Sequence, residues 1–419
     1  MNALLFSAYS SLAIHINNDL NRIGIKTILF TTNTPRKGNN QELKLNFFSR
    51  RIDWLMNALR SFYYRYIYLK VKNEYGYYQD IDENADYFDL EYIKSKVNIK
   101  PDYIFVLFDY RVLTTGSIKK LYDYYKVPII WFLVDMKPMT GGCSYAIDCF
   151  NYQTGCNSCP AISSNKHNCF ASETVKKKIK NLDNVDLKVI TFSSEQYAQA
   201  SSSSVFNKFK KYKFFFPIND DLFCVQDKLY ARKNLNLDPE KKIVFWGMSV
   251  FNEPRKGFKY LKEALLYLSK DDCSNILLLV VGDIPKSELD DINIQKVLLG
   301  QVNMKILANA YQASDMFVCS SIADSGPTMV NQAIMCGTPV VAFDIGICGD
   351  IVISEKTGML VKSGDSQGLY LGVRYLLGLD DEQRDEIKKN CYEMSLQMKE
   401  KGLMNNIFTI LSDSRTNIN

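Results

Sequence analysis

Histidine is nearly missing from this chain: only His15 and His167 occur in 419 residues. His15 falls inside an N-terminal helical pattern and reads as a packed or surface residue, so a histidine catalyst is not expected. Long apolar runs are also lacking. The best candidates, 127–134 and 276–281, are short enough to be buried strands, and none reaches the roughly 18 residues a membrane-crossing helix needs. The segment Met-Asn-Ala-Leu-Leu-Phe at the start has no charged region and no cleavage site, so no signal peptide is expected. Charge is nearly balanced, 51 − 46 = +5, which gives no reason to expect nucleic acid as a partner. Eleven cysteines without an export signal read as reduced thiols in the cytoplasm.

What is present is a globular composition, 47% hydrophobic and 23% charged, in a chain too long for one ordinary core. Two domains are the expectation. In the second half strands and helices alternate. Residues 242–247, 275–281, 315–319, 339–343 and 357–361 read as strands. Phe258, Leu261, Leu265 and Leu268 recur at helical spacing between the first two. Such alternation predicts a doubly wound parallel sheet. The first half repeats the class less regularly, with a helix over 17–23 and strands at 25–31, 102–108 and 127–134. The expected division is 1–217, with a basic aromatic insertion at 44–72 and a cysteine-rich loop at 140–170, then 218–385, then a helical tail 386–419.

The most informative stretch is 324–343, Asp-Ser-Gly-Pro-Thr-Met-Val-Asn-Gln-Ala-Ile-Met-Cys-Gly-Thr-Pro-Val-Val-Ala-Phe. It predicts a loop with a carboxylate, a capped helix over 327–336 of about 15 Å, and a buried strand. Pro327 suits the first helical turn, and Gly337 a left-handed position after the last. The free N–H groups at Thr328 and Met329 make an anion site, with Asp324 just before it. Arg255-Lys256-Gly257 precedes another helix. Two cations there oppose the helix dipole, and they make sense if a multiply charged anion binds; the plain alternative is a solvated basic loop.

These residues resemble the retaining, nucleotide-sugar-dependent glycosyltransferases of GT-B fold, group 1 or family-4-type. The likeness spans roughly 10–390. It is strongest at 324–344 and at 135–160, where Thr140-Gly141-Gly142-Cys143 and Gly155-Cys156-Asn157-Ser158-Cys159-Pro160 are similar to a signature in a subset of polysaccharide-assembly transferases. The resemblance implies two Rossmann-like domains facing a cleft. It implies that Lys256, with Arg255, contacts the donor diphosphate, that Asp324 binds donor-sugar hydroxyls, and that amides near Gly326 and Thr328 hold phosphate. Lys256 and Asp324 are the expected catalytic residues, and Asp135, Thr140, Gly141 and Gly142 lie on the acceptor side. The partners implied are a nucleoside-diphosphate sugar and a glycan or lipid-linked acceptor, with no cofactor required for catalysis. The chain departs from the pattern in three places. Gln332 stands where a glutamate grips the ribose diol, Val134 where a histidine precedes Asp135, and 6–10 has no glycine. A catalytically silent, ligand-binding partner subunit is therefore the second reading.

Cys143, Cys149, Cys156 and Cys159 run C-x5-C-x6-C-x2-C. Four thiolates with a closing C-x2-C fit a structural Zn²⁺, with Cys169 or His167 near enough to replace one. Buried reduced thiols, or disulfides, are the alternatives. The stretch 44–72 has seven basic residues against one acid, with eight aromatics. Ile52, Leu55, Met56, Leu59, Phe62 and Tyr66 recur at helical spacing. Such a face suits either peripheral contact with an anionic inner membrane or packing on the N-terminal sheet.

Overall fold

The apolar runs become the central strands of two separate parallel sheets. The computed structural model describes residues 1–7, 10–31, 42–44, 59, 62–72, 77–79, 83, 90–107, 112–248, 251, 253–326 and 328–413. The first sheet contains β1 (Asn2–Ser7), β2 (Lys26–Thr31), β3 (Glu42–Lys44), β4 (Tyr103–Val106), β5 (Ile129–Phe132), β6 (Leu187–Thr191) and β7 (Lys210–Lys213), in the order β3-β2-β1-β4-β5-β6-β7. The second contains β8 (Lys242–Gly247), β9 (Ile276–Val281), β10 (Gln295–Leu298), β11 (Met316–Cys319), β12 (Val340–Phe343) and β13 (Gly358–Val361), in the order β10-β9-β8-β11-β12-β13. Every pairing within them is parallel.

Burial explains why these runs become strands. All six residues of β9, Ile-Leu-Leu-Leu-Val-Val, are buried. Each such side chain contributes about 1.5–3 kcal/mol, against about 1–2 kcal/mol to order its backbone. Separate cores form on the two sheets, one around Leu4, Phe6, Ile104 and Trp131, the other around Val244, Leu279, Phe317 and Val341. The expected α/β class, two Rossmann-like doubly wound domains, is observed.

The chain divides into two compact units. The first holds Met1–Phe192, Gln196–Phe214 and Asn406–Asn419, the second Ser193–Glu195 and Phe215–Asn405. The tail expected over 386–419 is thus shared. The helix Asp381–Glu400 stays with the second unit, and most of the helix Leu403–Asp413 belongs with the first. There the Tyr103 hydroxyl donates to the Leu411 carbonyl at 2.9 Å, and Lys210 and Tyr212 of β7 both donate to Asp413 at 2.7 Å.

Within 44–72, residues 45–58, 60 and 61 lie outside the described residues, so the expected amphipathic helix is not described there. Leu59, Phe62 and Tyr66 are more than half exposed, and Tyr63–Tyr68 forms a π-helical turn. Among the described residues no helix is long and apolar enough to cross a membrane.

Candidate functional site

Strand order reverses between β8 and β11 of the second unit. At such a switch point the two following loops splay apart and leave room for a ligand. Lys256 follows β8 and Asp324 follows β11, so the two residues singled out by sequence flank that point.

The loops are laced together by backbone. After β8 the chain makes a 3-10 turn, Pro254–Lys256, then turns left-handed at Gly257 (φ 68°) into the helix Phe258–Leu268. A Cβ on Gly257 would stand 1.8 Å from the Ser320 carbonyl oxygen, so only glycine lets the loops approach. The Ile322 N–H donates to the Arg255 carbonyl at 2.7 Å. Ser320 Oγ donates to the Lys256 carbonyl at 2.9 Å and accepts from the Trp246 indole N–H at 3.3 Å.

This lacing brings three charges together. Lys256 Nζ and Arg255 Nη1 donate to Asp324 Oδ2 at 2.7 and 2.8 Å. The Gly326 N–H donates to Asp324 Oδ1 at 3.3 Å, and Arg255 Nη2 to Glu253 Oε2 at 3.0 Å. Burial pushes the Asp324 carboxyl up, but the Lys256 and Arg255 charges outweigh it and hold it below the usual carboxylate range. The two cations that oppose a helix dipole therefore already have one anion, the Asp324 carboxylate. The loop after β12 closes on the same place: a Cβ on Gly346 would meet the Asp324 carbonyl oxygen at 2.5 Å.

The helix Thr328–Met335 begins four residues after Asp324. Residue 327 lies outside the described residues. Thr328 is exposed at its start, and Gly337 takes the expected left-handed conformation at its end (φ 76°). Gln332 is buried, and its Oε1 accepts from the fully buried Tyr311 hydroxyl at 3.2 Å. Its carbonyl oxygen is thus engaged in the core, at the position where the resemblance expects a donor-binding side chain. Nothing local marks this contact, because Tyr311 arrives from the helix Met304–Ala313.

In the first unit, Asp135 Oδ1 accepts from the Lys137 N–H at 2.8 Å, at the start of the turn Lys137–Met139. Thr140 is 1% exposed. Its hydroxyl donates to the Cys143 carbonyl and accepts from the Gly142 N–H. Added Cβ atoms on Gly141 and Gly142 would strike Ala171 at 2.5 Å and the Tyr78 ring at 2.7 Å. Thr140, Gly141 and Gly142 were expected on the acceptor side; they are packed inside the loop and build it. Sequence reasoning missed its anchor. Lys178, 2% exposed, donates to the Lys137 and Thr140 carbonyls at 2.7 and 2.9 Å, with Glu83 at 3.7 Å.

Cys143, Cys149, Cys156 and Cys159 line one cavity together with Tyr78 and Ala171. None is in a disulfide. Burial raises the Cys143 and Cys159 thiols and pushes Cys156 up to about 11, although the Gly141 N–H opposes it at Cys156. Among the described residues no three His, Cys, Asp or Glu side chains already stand as a metal-holding group.

A two-domain α/β fold of GT-B class is thus carried by a chain whose charged site lies at a switch point of its second sheet. Residues 228–394, within the second unit, match the family of glycosyl transferases group 1. An uncharacterized glycosyltransferase of Methanocaldococcus jannaschii is 26% identical over 178 residues, 40% of this chain and 45% of that protein. The chain therefore matches less than half the length of that curated relative. Over the whole chain, sucrose-phosphate synthase from Thermosynechococcus elongatus superposes with a TM-score of 0.66 at 17% identity, covering 99% of this chain and 98% of the other. HepE of Anabaena, solved with UDP and glucose, gives 0.63 at 13% identity over 100% of both chains. These likenesses establish the fold.

Proposed function

We propose that this protein transfers a sugar, with retention, from a nucleoside-diphosphate donor to a glycan or lipid-linked acceptor in cell-surface polysaccharide assembly. The observation that carries the reading is the convergence of Arg255 and Lys256 on Asp324 beside a helix N-terminus. As the bond from sugar to diphosphate breaks, negative charge grows on the diphosphate. Fixed cations and helix amides aimed at it lower the barrier. Arg255 and Lys256 are held in place by Asp324 before any ligand arrives, so little reorganisation is needed. Asp324 keeps its carboxylate ionised and offers its oxygens to sugar hydroxyls. Solved HepE with UDP and glucose supports a nucleotide donor by analogy of fold alone.

Thermal-shift measurements with UDP, GDP and ADP test the reading. One nucleotide is expected to raise the melting temperature, with the shift at least halved in Lys256→Ala. No stabilisation by any of the three overturns it. The core-engaged Gln332 favours a second reading, a silent subunit that binds nucleotide-sugar without turnover. Donor hydrolysis or transfer by the unaltered protein, lost in Asp324→Ala, excludes that alternative.

A further inference from the structure

Cys143, Cys149, Cys156 and Cys159 belong to no part of the proposed transfer chemistry, yet all four line one small space. Their common cavity has room of about 20 Å³, and about 10–15 Å³ suffices for one water-sized occupant. The remainder of its wall is mainly apolar, with Ala146, Pro160, Ala161 and Ala171 among the lining residues. A water there would find few partners, whereas cysteines from four points of the sequence line it.

The backbone around the closing C-x2-C is shaped for sulfur ligation. Cys156 and Ser158 both take left-handed conformations (φ 56° and 54°), which side chains other than glycine adopt at a cost, directly after Gly155 (φ 95°). One backbone donor is aimed at sulfur here: the Gly141 N–H donates to Cys156 Sγ at 3.2 Å. N–H donors directed at sulfur favour a sulfur that carries negative charge, as a metal-bound thiolate does. A buried cation stands beside the loop: Lys178 donates to the Thr140 carbonyl at 2.9 Å.

We propose that Cys143, Cys149, Cys156 and Cys159 form a structural site for one thiophilic divalent ion, Zn²⁺, bound by four sulfurs. The thiol form differs from the metal form by side-chain movement around the cavity, since the sulfurs do not yet stand as a metal-holding group. On binding, each S–H bond is exchanged for a Zn–S bond and its proton goes to solvent. The resulting centre carries two net negative charges, which Lys178 offsets in part. No electron is transferred, and no oxidant is required. The ion would tie the 143–159 loop to itself at four points, and through Gly141 and Lys178 fix the turn that follows Asp135.

Zinc content of the full chain, purified without chelators or nickel resin, tests the site. Wild type and Cys224→Ser, whose thiol lies outside the cluster, are expected to carry about one zinc per chain, with sulfur neighbours at about 2.3 Å by X-ray absorption. Cys159→Ser is expected to lose at least about ten-fold in affinity. Should that variant not fold, wild type is stripped and titrated with Co²⁺. Sulfur-to-cobalt charge-transfer absorption saturating near one equivalent supports the site. Wild type that binds neither ion, with eleven free thiols or with disulfides among the four, overturns it. So does zinc bound only through nitrogen and oxygen.

Discussion

Asp324 shows how much one carboxylate organises. Its oxygens hold Arg255 and Lys256 in place, and its ionisation is favoured by them. Because its pKa is held below the ordinary 3.8, the unfolded chain takes up its proton first as pH falls. Stability from this group is therefore complete above the unfolded value and is lost on acidification through the lower folded one. Chemical denaturation from about pH 6 to about pH 3 should show wild type losing stability more steeply than Asp324→Asn. Equal slopes would mean the carboxylate is not ionised by its neighbours. Gly257 is the second organising residue. Gly257→Ala adds a methyl where only 1.8 Å is free, in a left-handed conformation. It should cost about 2 kcal/mol or more in denaturant unfolding and should weaken nucleotide binding even though no donor contact is removed.

Among the elements, those buried on both faces were readable and those at edges were not. β8, β9, β11 and β12 are continuous apolar runs because helices cover both sides of a parallel sheet, and their runs lie within a residue of the observed strands. Among the described residues β7, Lys-Lys-Tyr-Lys, pairs with β6 alone. An edge strand gains from charge that discourages further pairing, so its sequence looks like a loop. The helix Phe170–Leu182 hid its main residue the same way. Lys176, Lys177, Lys178 and Lys180 crowd one short stretch, yet Lys178 turns inward to carbonyls that no local pattern reveals. Arg255, Lys256 and Asp324 were legible because glycine, proline and charge signal loop chemistry locally. The Gln332–Tyr311 contact was not, since it joins two helices. Lys178→Met should destabilise the first unit by about 3 kcal/mol, leaving Glu83 without its buried cation, as read by urea unfolding. A cost near zero would mark the contact as replaceable packing.

At the scale of the whole molecule, both ends of the described chain belong to the first unit, with the second inserted between them. Ile407, Ile410 and Leu411 are fully or nearly fully buried, and Asp413 receives two donors from β7. Deleting 406–419 should therefore loosen the first unit while leaving the second intact. Hydrogen exchange would report this as lost protection in β4 and β7, with β8, β9 and β11 unchanged; uniform protection would refute it. The closing contact from Tyr103 to Leu411 spans 308 residues. During synthesis the inserted unit can be finished while the first still waits for its last helix. The part of the protein made first is then the part completed last, and for that interval its β7 edge lacks its cover.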